Sequence, residues 1–234
     1  MPARALAAEA DGAVSGGLPI AGLTRRLSGA DRDGLRRDGV VVARGILSED
    51  WLATMLAATE RVLTDVAASD ERRELPPFRA WVLDAPLIGL TRQALPGASC
   101  VTVYVDQIVG HLPGTTELLA VNREAPYVPV MGKQVVRLWV PLDKVTAATG
   151  AIRYWTGSHR GPGSGGEWLV AECDRGDVVL HHPRVVHGAV ERGEHRRVVA
   201  SAYGADLRRS PQPADDLLRE WESFDPFLNP KLAD

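Results

Sequence analysis

The sequence is poor in cysteine, with only Cys100 and Cys173 among its 234 residues. The two form no Cys-x-x-Cys pair and no spacing typical of a zinc site. Neither a disulfide framework nor a cysteine-based metal site is therefore indicated. We interpret both residues as free or buried thiols in a reducing compartment.

The sequence also lacks long hydrophobic runs and clusters of one charge. No apolar stretch is long enough to span a membrane, which predicts no transmembrane segment. The first residues include acidic side chains and have no long apolar core, so a secretory signal is not expected and the predicted location is cytoplasmic. Lys and Arg are scattered and the formal net charge is −3. This distribution favours neither a nucleic-acid partner nor a membrane partner.

What is present is the composition of one globular domain. Hydrophobic residues make up 45% and charged residues 24% of the chain, and 234 residues can bury a full core. Residues 1–28 show no stable periodicity and contain the run Gly-Ala-Val-Ser-Gly-Gly, so we predict a flexible N-terminal arm. Residues 29–234 are predicted to form a single domain.

The local patterns predict helices first and strands later. A short helix ends near Asp38-Gly39, strand 40–43 follows, and Ser48 caps a long amphipathic helix. Further short helices are predicted at 86–94 and 215–224. Strands are predicted at 100–105, 107–110, 133–140, 178–182, 185–190 and 196–203. Many short strands separated by Gly and Pro turns favour a closed or folded-over β-sandwich.

Three stretches carry a family resemblance. Tyr104–Tyr127 contains a Pro-Gly turn and ends in Pro-Tyr, and Gly176–Ala189 begins with Gly-Asp and contains a late His. Between them, Trp139 to His159 follows the pattern W-x-x-L-D-x-V, G-A-I, G-S-H without a gap. Together these resemble the phytanoyl-CoA dioxygenase-like family of Fe(II)/2-oxoglutarate oxygenases. The resemblance implies a double-stranded β-helix, a cupin-like jelly roll, flanked by N-terminal helices.

The resemblance also implies a metal site, in which this chain departs from the family. The family's His-x-Asp is replaced by Asn122 and Glu124, whereas its distal histidine is present as His187. Strand alternation would direct Asn122 and Glu124 to one face. An amide oxygen is a weaker ligand for Fe(II) than imidazole, so Glu124 and His187 are the metal ligands that remain, and weak or no metal binding is expected. His111 or His182 could replace the lost imidazole, and His111 is also a candidate for binding the substrate or 2-oxoglutarate. Each is also well explained as a structural histidine.

Other residues are candidates for binding a carboxylate or shaping the pocket. The family binds 2-oxoglutarate through an Arg on its last core strand, where this chain has Arg196 and Arg197. Alternation allows only one to face inward, and we predict Arg197. Arg137 lies in the middle of an apolar strand and faces either solvent or the barrel, where Glu124 would be its ion-pair partner. Tyr127 and Trp139 either line the pocket or fill the core.

These residues are compatible with three functions. The first is a small-molecule enzyme of natural-product biosynthesis that catalyses metal-independent, redox-neutral chemistry such as isomerisation, cyclisation, elimination or hydrolysis. Glu124, His187 and Asn122 would be its catalytic residues. The second is an Fe(II)/2-oxoglutarate oxygenase with an atypical triad. The third is a non-catalytic binding protein. The predicted ligand is a small molecule, and the arginines would suit one that carries a carboxylate.

Overall fold

A computed structural model describes residues 6–7, 22–64, 76–83, 86–110, 130–161, 163–189 and 197–209. Its largest feature is a six-stranded antiparallel sheet. The strands are β1 (Leu6–Ala7), β2 (Val40–Ala43), β3 (Cys100–Gly110), β5 (Val135–Pro141), β8 (Val178–His181) and β10 (Arg197–Gly204). Their order across the sheet is β1-β3-β10-β5-β8-β2. This order is far from sequential, so strands distant in the chain become neighbours.

A smaller sheet lies against the first one. Its strands are β6 (Ile152–Trp155), β7 (Trp168–Ala171) and β9 (His187–Ala189). They are antiparallel and follow the order β7-β6-β9. A two-stranded ribbon pairs β4 (Val130–Met131) with β11 (Arg208–Arg209). This mainly antiparallel architecture with few helices is the predicted jelly-roll class.

Four α-helices are described, and three of them show clear local causes. Helix α1 (Gly29–Asp38) begins at a capping box of Ser28 and Asp31 and ends at Gly39, whose φ of 75° closes the turn. Helix α2 (Glu49–Thr64) carries acidic residues in its first turn. Helix α3 (Pro76–Leu83) begins with two prolines, which suit the first turn of a helix. Helix α4 (Leu87–Ala94) follows α3.

The two faces of the large sheet contribute to two separate hydrophobic clusters. Val199 and Tyr203 of β10 belong to a cluster shared with the helices, and the Tyr203 hydroxyl donates a hydrogen bond of 2.9 Å to the Val82 carbonyl of α3. Val198 and Ala200 of β10 belong to the other cluster, which includes residues of the small sheet. Because successive strand residues point to opposite faces, one face is covered by helices and the other faces the interior between the sheets.

A buried carboxylate holds two loops next to β8. Asp177 is 4% exposed and accepts hydrogen bonds from the backbone amides of Gly45 (2.8 Å) and Asp174 (2.9 Å). It also accepts one from the Arg44 guanidinium at 2.7 Å. The carbonyl of Gly176 accepts hydrogen bonds from the backbone amides of the two residues that follow Gly45. The Gly-Asp of the family pattern therefore has a structural role here.

Most predicted elements in the described residues are confirmed within one or two residues at each end. Two predicted strands merge into the single strand β3, because pairing with β10 runs through Asp106. Helix α3 was not predicted. The predicted helix at 215–224 lies outside the described residues. Most of the predicted arm does as well, but residues 6–7 and 22–28 do not. Leu6 and Ala7 pair with β3, and Leu23 and Leu27 are buried in the helix-covered core. Packing of the chain therefore begins before residue 29.

Candidate functional site

The strongest polar feature of the large sheet lies on its inner face. Arg137 on β5 is directly opposite His181 on β8, and the two side chains therefore share a face. Arg137 is 6% exposed and His181 is 1% exposed. The neighbouring inward pair, Trp139 and Val179, belongs to the core cluster between the sheets. Arg137 and His181 are consequently neighbours on the inner face of the sheet, next to the apolar pair of Trp139 and Val179.

The small sheet contributes a second pair of residues to the same place. Tyr154 on β6 is directly opposite His187 on β9, with ring centroids 5.4 Å apart. Tyr154 also contacts His181 of the large sheet at 5.1 Å, and the two imidazole centroids are 5.0 Å apart. All three rings are buried. His181, Tyr154 and His187, which we call the inner triad of rings, bring the two sheets together.

Both imidazoles of the inner triad have Nδ1 next to a backbone carbonyl. The Nδ1–H of His187 donates to the Val185 carbonyl at 2.9 Å, because a carbonyl oxygen can only accept. The Nδ1 of His181 lies 3.4 Å from the carbonyl of His182, a longer and weaker contact. A proton on Nδ1 leaves the lone pair on Nε2, which is the nitrogen that can then bind a metal or accept a proton.

Arg137 is anchored by an amide next to it. Its Nη2 donates to Oε1 of Gln107 on β3 at 2.5 Å. Gln107 lies directly opposite Ala200 of β10, whose side chain faces inward, but the Gln107 side chain is exposed to solvent. The guanidinium thus extends from the buried rings toward a solvent-accessible side chain. Of the two orientations considered for Arg137, the structure shows the inward one. Trp139 also faces inward and packs into the core.

Arg197 lies elsewhere than predicted. It precedes inward-facing Val198 on β10, so its side chain leaves the sheet on the helix-covered face. Its Nε and Nη2 bind the Asp143 carboxylate at 2.9 and 2.5 Å, and its Nη1 forms an ion pair with Glu60 of α2. Burial disfavours a charged Asp143, but the hydrogen bonds from Arg197 outweigh burial and lower the pKa of this carboxyl. The guanidinium therefore fastens a strand end to a helix.

His182 also lies apart from the inner triad of rings. Its amide donates to the Gly39 carbonyl, and its imidazole lies 5.5 Å from that of His159. Burial, followed by the nearby Arg184 and His159, lowers the pKa of His182 to about 3. The neutral Nδ1 accepts a hydrogen bond from the backbone amide of Arg184 at 3.1 Å. Of the two roles considered for His182, replacement ligand or structural histidine, the contacts are those of a structural histidine.

Several predicted site residues lie outside the described part of the chain: His111, Asn122, Glu124, Tyr127 and Arg196. The proposed Arg137–Glu124 ion pair and the Asn122/Glu124 face therefore stay predictions. Within the described ranges, no three His, Cys, Asp or Glu side chains are grouped to hold a metal ion. The donors placed together there are the two imidazoles of His181 and His187, which suit iron, zinc and nickel. They fit part of a non-haem iron site.

Three residues of the site, His181, Tyr154 and Gln107, were not predicted from the sequence. All four residues of β8 are buried, so alternation of polar and apolar residues could not show which of the adjacent His181 and His182 faces inward. The sequence patterns give Tyr154 no predicted role. A signal for both existed in the spacing, because His181 and Tyr154 lie two residues from inward-facing Val179 and Ile152. This spacing can be used only when the structure has shown which residues of each strand face inward.

Comparison with known proteins identifies the fold and the family. The crystal structure of SnoK, a non-heme alpha ketoglutarate dependent carbocyclase from nogalamycin biosynthesis, matches with a TM-score of 0.68 and 22% identity over 88% of this chain and 94% of that one. AviO1 from Streptomyces viridochromogenes Tue57 matches with a TM-score of 0.65 and 23% identity, covering 79% and 97%. The epimerase SnoN, in complex with Fe3+, alpha ketoglutarate and nogalamycin RO, matches with a TM-score of 0.59 and 19% identity, covering 80% and 88%.

These likenesses show the fold, and a family model adds the family. In the described residues no helix has the length and apolar character needed to cross a membrane. No curated protein sequence matches the chain. The model of the phytanoyl-CoA dioxygenase (PhyH) family matches residues 35–199, which include β2, β5, β8 and the inner triad of rings. The chain therefore belongs to the phytanoyl-CoA dioxygenase family of enzymes.

Proposed function

We propose that this protein is an enzyme of natural-product biosynthesis that catalyses a redox-neutral reaction on a small, carboxylate-bearing molecule bound between the two sheets. The reaction class is isomerisation, cyclisation, elimination or hydrolysis. The observation that carries the proposal is the grouping of Arg137 with the inner triad of rings. An arginine fork binds a carboxylate in two places, and an imidazole moves protons near neutral pH.

The roles follow from the chemistry of each group. Arg137 would hold the substrate carboxylate, with Gln107 orienting the guanidinium through the bond at 2.5 Å. His187 would be the general base or acid, since its Nδ1–H is fixed by the Val185 carbonyl and Nε2 carries the lone pair. A positioned acid or base of this kind contributes a factor of about 10² to 10⁴ to the rate. Asn122 and Glu124 complete the proposed catalytic set.

The proposal relies on the chain's acid–base residues for chemistry because of the altered metal motif. Asn122 offers a neutral amide oxygen where the family has an imidazole, which weakens Fe(II) binding. SnoK and SnoN are described as a carbocyclase and an epimerase, and both names denote reactions that close rings or change stereocentres. Ring closure and change of a stereocentre are both outcomes within the reaction class proposed here. Both proteins are described as alpha ketoglutarate dependent, so their names support the type of product and not the absence of a metal.

A second candidate function is an Fe(II)/2-oxoglutarate-dependent reaction. The specific observation that favours it is the second imidazole, His181, whose ring is 5.0 Å from that of His187. When bound, iron and 2-oxoglutarate supply oxidative chemistry. His181 and His187 are the described residues that would hold the metal, with Glu124 as the predicted carboxylate ligand. Arg137 would then hold a carboxylate of 2-oxoglutarate.

One experiment separates the two candidates. The purified protein is incubated with 2-oxoglutarate, Fe(II) and air, and succinate is measured, with a parallel sample under nitrogen containing EDTA. The redox-neutral proposal expects no succinate above that of a His187→Ala variant, and turnover of candidate biosynthetic intermediates that persists with EDTA under nitrogen. Succinate formation that depends on His187, together with turnover that stops on chelation, would reject that proposal in favour of the second candidate.

Carboxylate binding is tested separately, by titration calorimetry with 2-oxoglutarate and succinate. Arg137→Gln should weaken binding at least about tenfold, because it removes the bidentate fork. Arg153→Gln is the matched control, since Arg153 lies over the Trp168 ring at 4.7 Å on the outer face of the small sheet. Equal affinities in the two variants would remove Arg137 from the proposal.

A further inference from the structure

We infer that Ser158 is a positioning residue for His187, acting through one peptide unit of the chain between β8 and β9. That unit consists of the carbonyl of Val185 and the amide of Val186. The Ser158 hydroxyl binds its N–H, and the imidazole of His187 binds its carbonyl. The inference rests on the proposed function, in which His187 transfers a proton, and it gives the Gly-Ser-His of the sequence pattern a place in the chemistry of the site.

The buried hydroxyl of Ser158 both donates and accepts a hydrogen bond. Its Oγ–H donates to the carbonyl of Trp155, at the end of β6, at 2.7 Å. With that proton directed at β6, a lone pair of Oγ accepts from the Val186 amide at 2.9 Å. Because a carbonyl oxygen can only accept and an amide N–H can only donate, the direction of both bonds is determined.

A planar peptide unit connects this hydroxyl to the imidazole. The Nδ1–H of His187 donates to the Val185 carbonyl at 2.9 Å. The C=O and N–H of a trans peptide lie in one plane and point in opposite directions, so the two hydrogen bonds at its ends restrict its rotation. Hydrogen bonds in such a chain also polarise one another in a poorly solvated interior, which makes the carbonyl a stronger acceptor. The proton of His187 is therefore held on Nδ1, and the lone pair of Nε2 is left to react.

The backbone on both sides of this contact is also held in place. The carbonyl of Val186 accepts from the Trp155 amide at 2.8 Å, so the segment 155–158 binds both backbone groups of Val186. The turn that carries Ser158 is joined to the end of α1, because the amide of Gly157 donates to the Asp38 carbonyl at 2.7 Å. The hydroxyl therefore meets the peptide unit from a fixed position, as a residue that orients a catalytic side chain must.

The test measures which ring nitrogen of His187 carries the proton. Histidine ring ¹H–¹⁵N spectra are recorded in EDTA without substrate, and the His187 signals are those absent from His187→Gln. Ser158→Ala should lower the ratio of Nδ1–H to Nε2–H tautomer at least about twofold, and Ser158→Thr, which keeps the hydroxyl, should show the wild-type ratio. Ser201→Ala is the matched control and should also show that ratio. Ser201 is a buried serine that alternates along β10 with Val199 and Tyr203 of the helix-covered core.

The wild-type spectrum covers the case in which Ser158→Ala does not fold, because a His187 protonated mainly on Nε2 would by itself overturn the inference. A wild-type ratio in folded Ser158→Ala, an equal change in Ser201→Ala, or no recovery in folded Ser158→Thr would also overturn it. A loss of stability alone does not change the tautomer of a folded protein, so the readout separates positioning from a merely structural role. It involves no turnover, so its failure is distinct from failure of the proposed reaction.

Discussion

Removal of the Arg197–Asp143 contact should lower stability without affecting the active site. Asp143 accepts three N–H groups of Arg197: the backbone amide at 3.0 Å, Nε at 2.9 Å and Nη2 at 2.5 Å. The side chains are 28% and 23% exposed. An exposed ion pair contributes about 0–1 kcal/mol, and a hydrogen bond to a charged group about 1.5–3 kcal/mol. We therefore expect Arg197→Gln to lower the free energy of unfolding by about 1–2 kcal/mol.

The assay is urea unfolding at pH 7 of wild type, Arg197→Gln, Asp143→Asn and the double variant. Residues in contact show coupling, and we expect a coupling energy of about 1 kcal/mol. Glu60 adds little, because its side chain is 57% exposed. A coupling energy within about 0.3 kcal/mol of zero would refute the assigned role of this contact.

The pH dependence gives an independent check of the same contact. The pKa of Asp143 is lowered in the folded protein from its usual 3.8. A group with a lowered folded pKa stabilises the protein above its unfolded pKa, and the contribution is lost as pH falls through the folded value. The stability difference between wild type and Asp143→Asn should therefore be constant from pH 7 to about pH 5 and shrink below about pH 4. A difference that grows on acidification would contradict this assignment.

The functional part of the prediction concerns ligand binding. Since the Arg197 guanidinium is bound to Asp143 and Glu60, Arg197→Gln should leave the affinity for 2-oxoglutarate or succinate unchanged while the protein is folded. Arg137→Gln should weaken it. The reverse result would restore Arg197 as the carboxylate-binding arginine.

Three further predictions concern structural residues. Asp177→Ala should lower the free energy of unfolding by about 2–3 kcal/mol, because buried backbone amides lose their acceptor; a urea midpoint close to that of wild type would contradict this. Burial, and then the nearby Asp177, raises the pKa of Cys173 to about 12, so at pH 8 only Cys100 should react rapidly with a disulfide reagent, and both thiols should react in denaturant. Rapid reaction of two thiols in the native protein would refute the burial. Gly39→Ala should lower the free energy of unfolding by about 1–3 kcal/mol, because φ is 75° and an added Cβ would lie 2.3 Å from the Nδ1 of His159. An unchanged melting temperature would contradict this prediction.

Local sequence was informative where local forces decide the structure. The Ser28 cap and Gly39 bound α1, and Ser48 precedes α2, so these elements could be placed from a few adjacent residues. Helix α3, which begins with Pro76 and Pro77, was not predicted. Proline is in fact well tolerated in the first helical turn, where its missing N–H has no partner to lose.

The candidate site was only partly predictable, for a physical reason. His187 was identified from its motif and lies in the interior. Arg197 was assigned to the wrong face, because alternation shows that Arg196 and Arg197 point in opposite directions but not which one is inward. His181 was missed because β8 is buried on both sides and its sequence carries no alternation.

The family, the fold class and the ends of several helices and strands follow from the sequence alone, since these depend on motifs, caps and turns that are local. Which side chains meet depends on the folding of the whole chain. The register of β5 against β8 places Arg137 beside His181, and the packing of the small sheet on the large one brings His187 to the same point. A shift of one residue in that register would turn each inward side chain outward, which is why the site is a property of the folded chain.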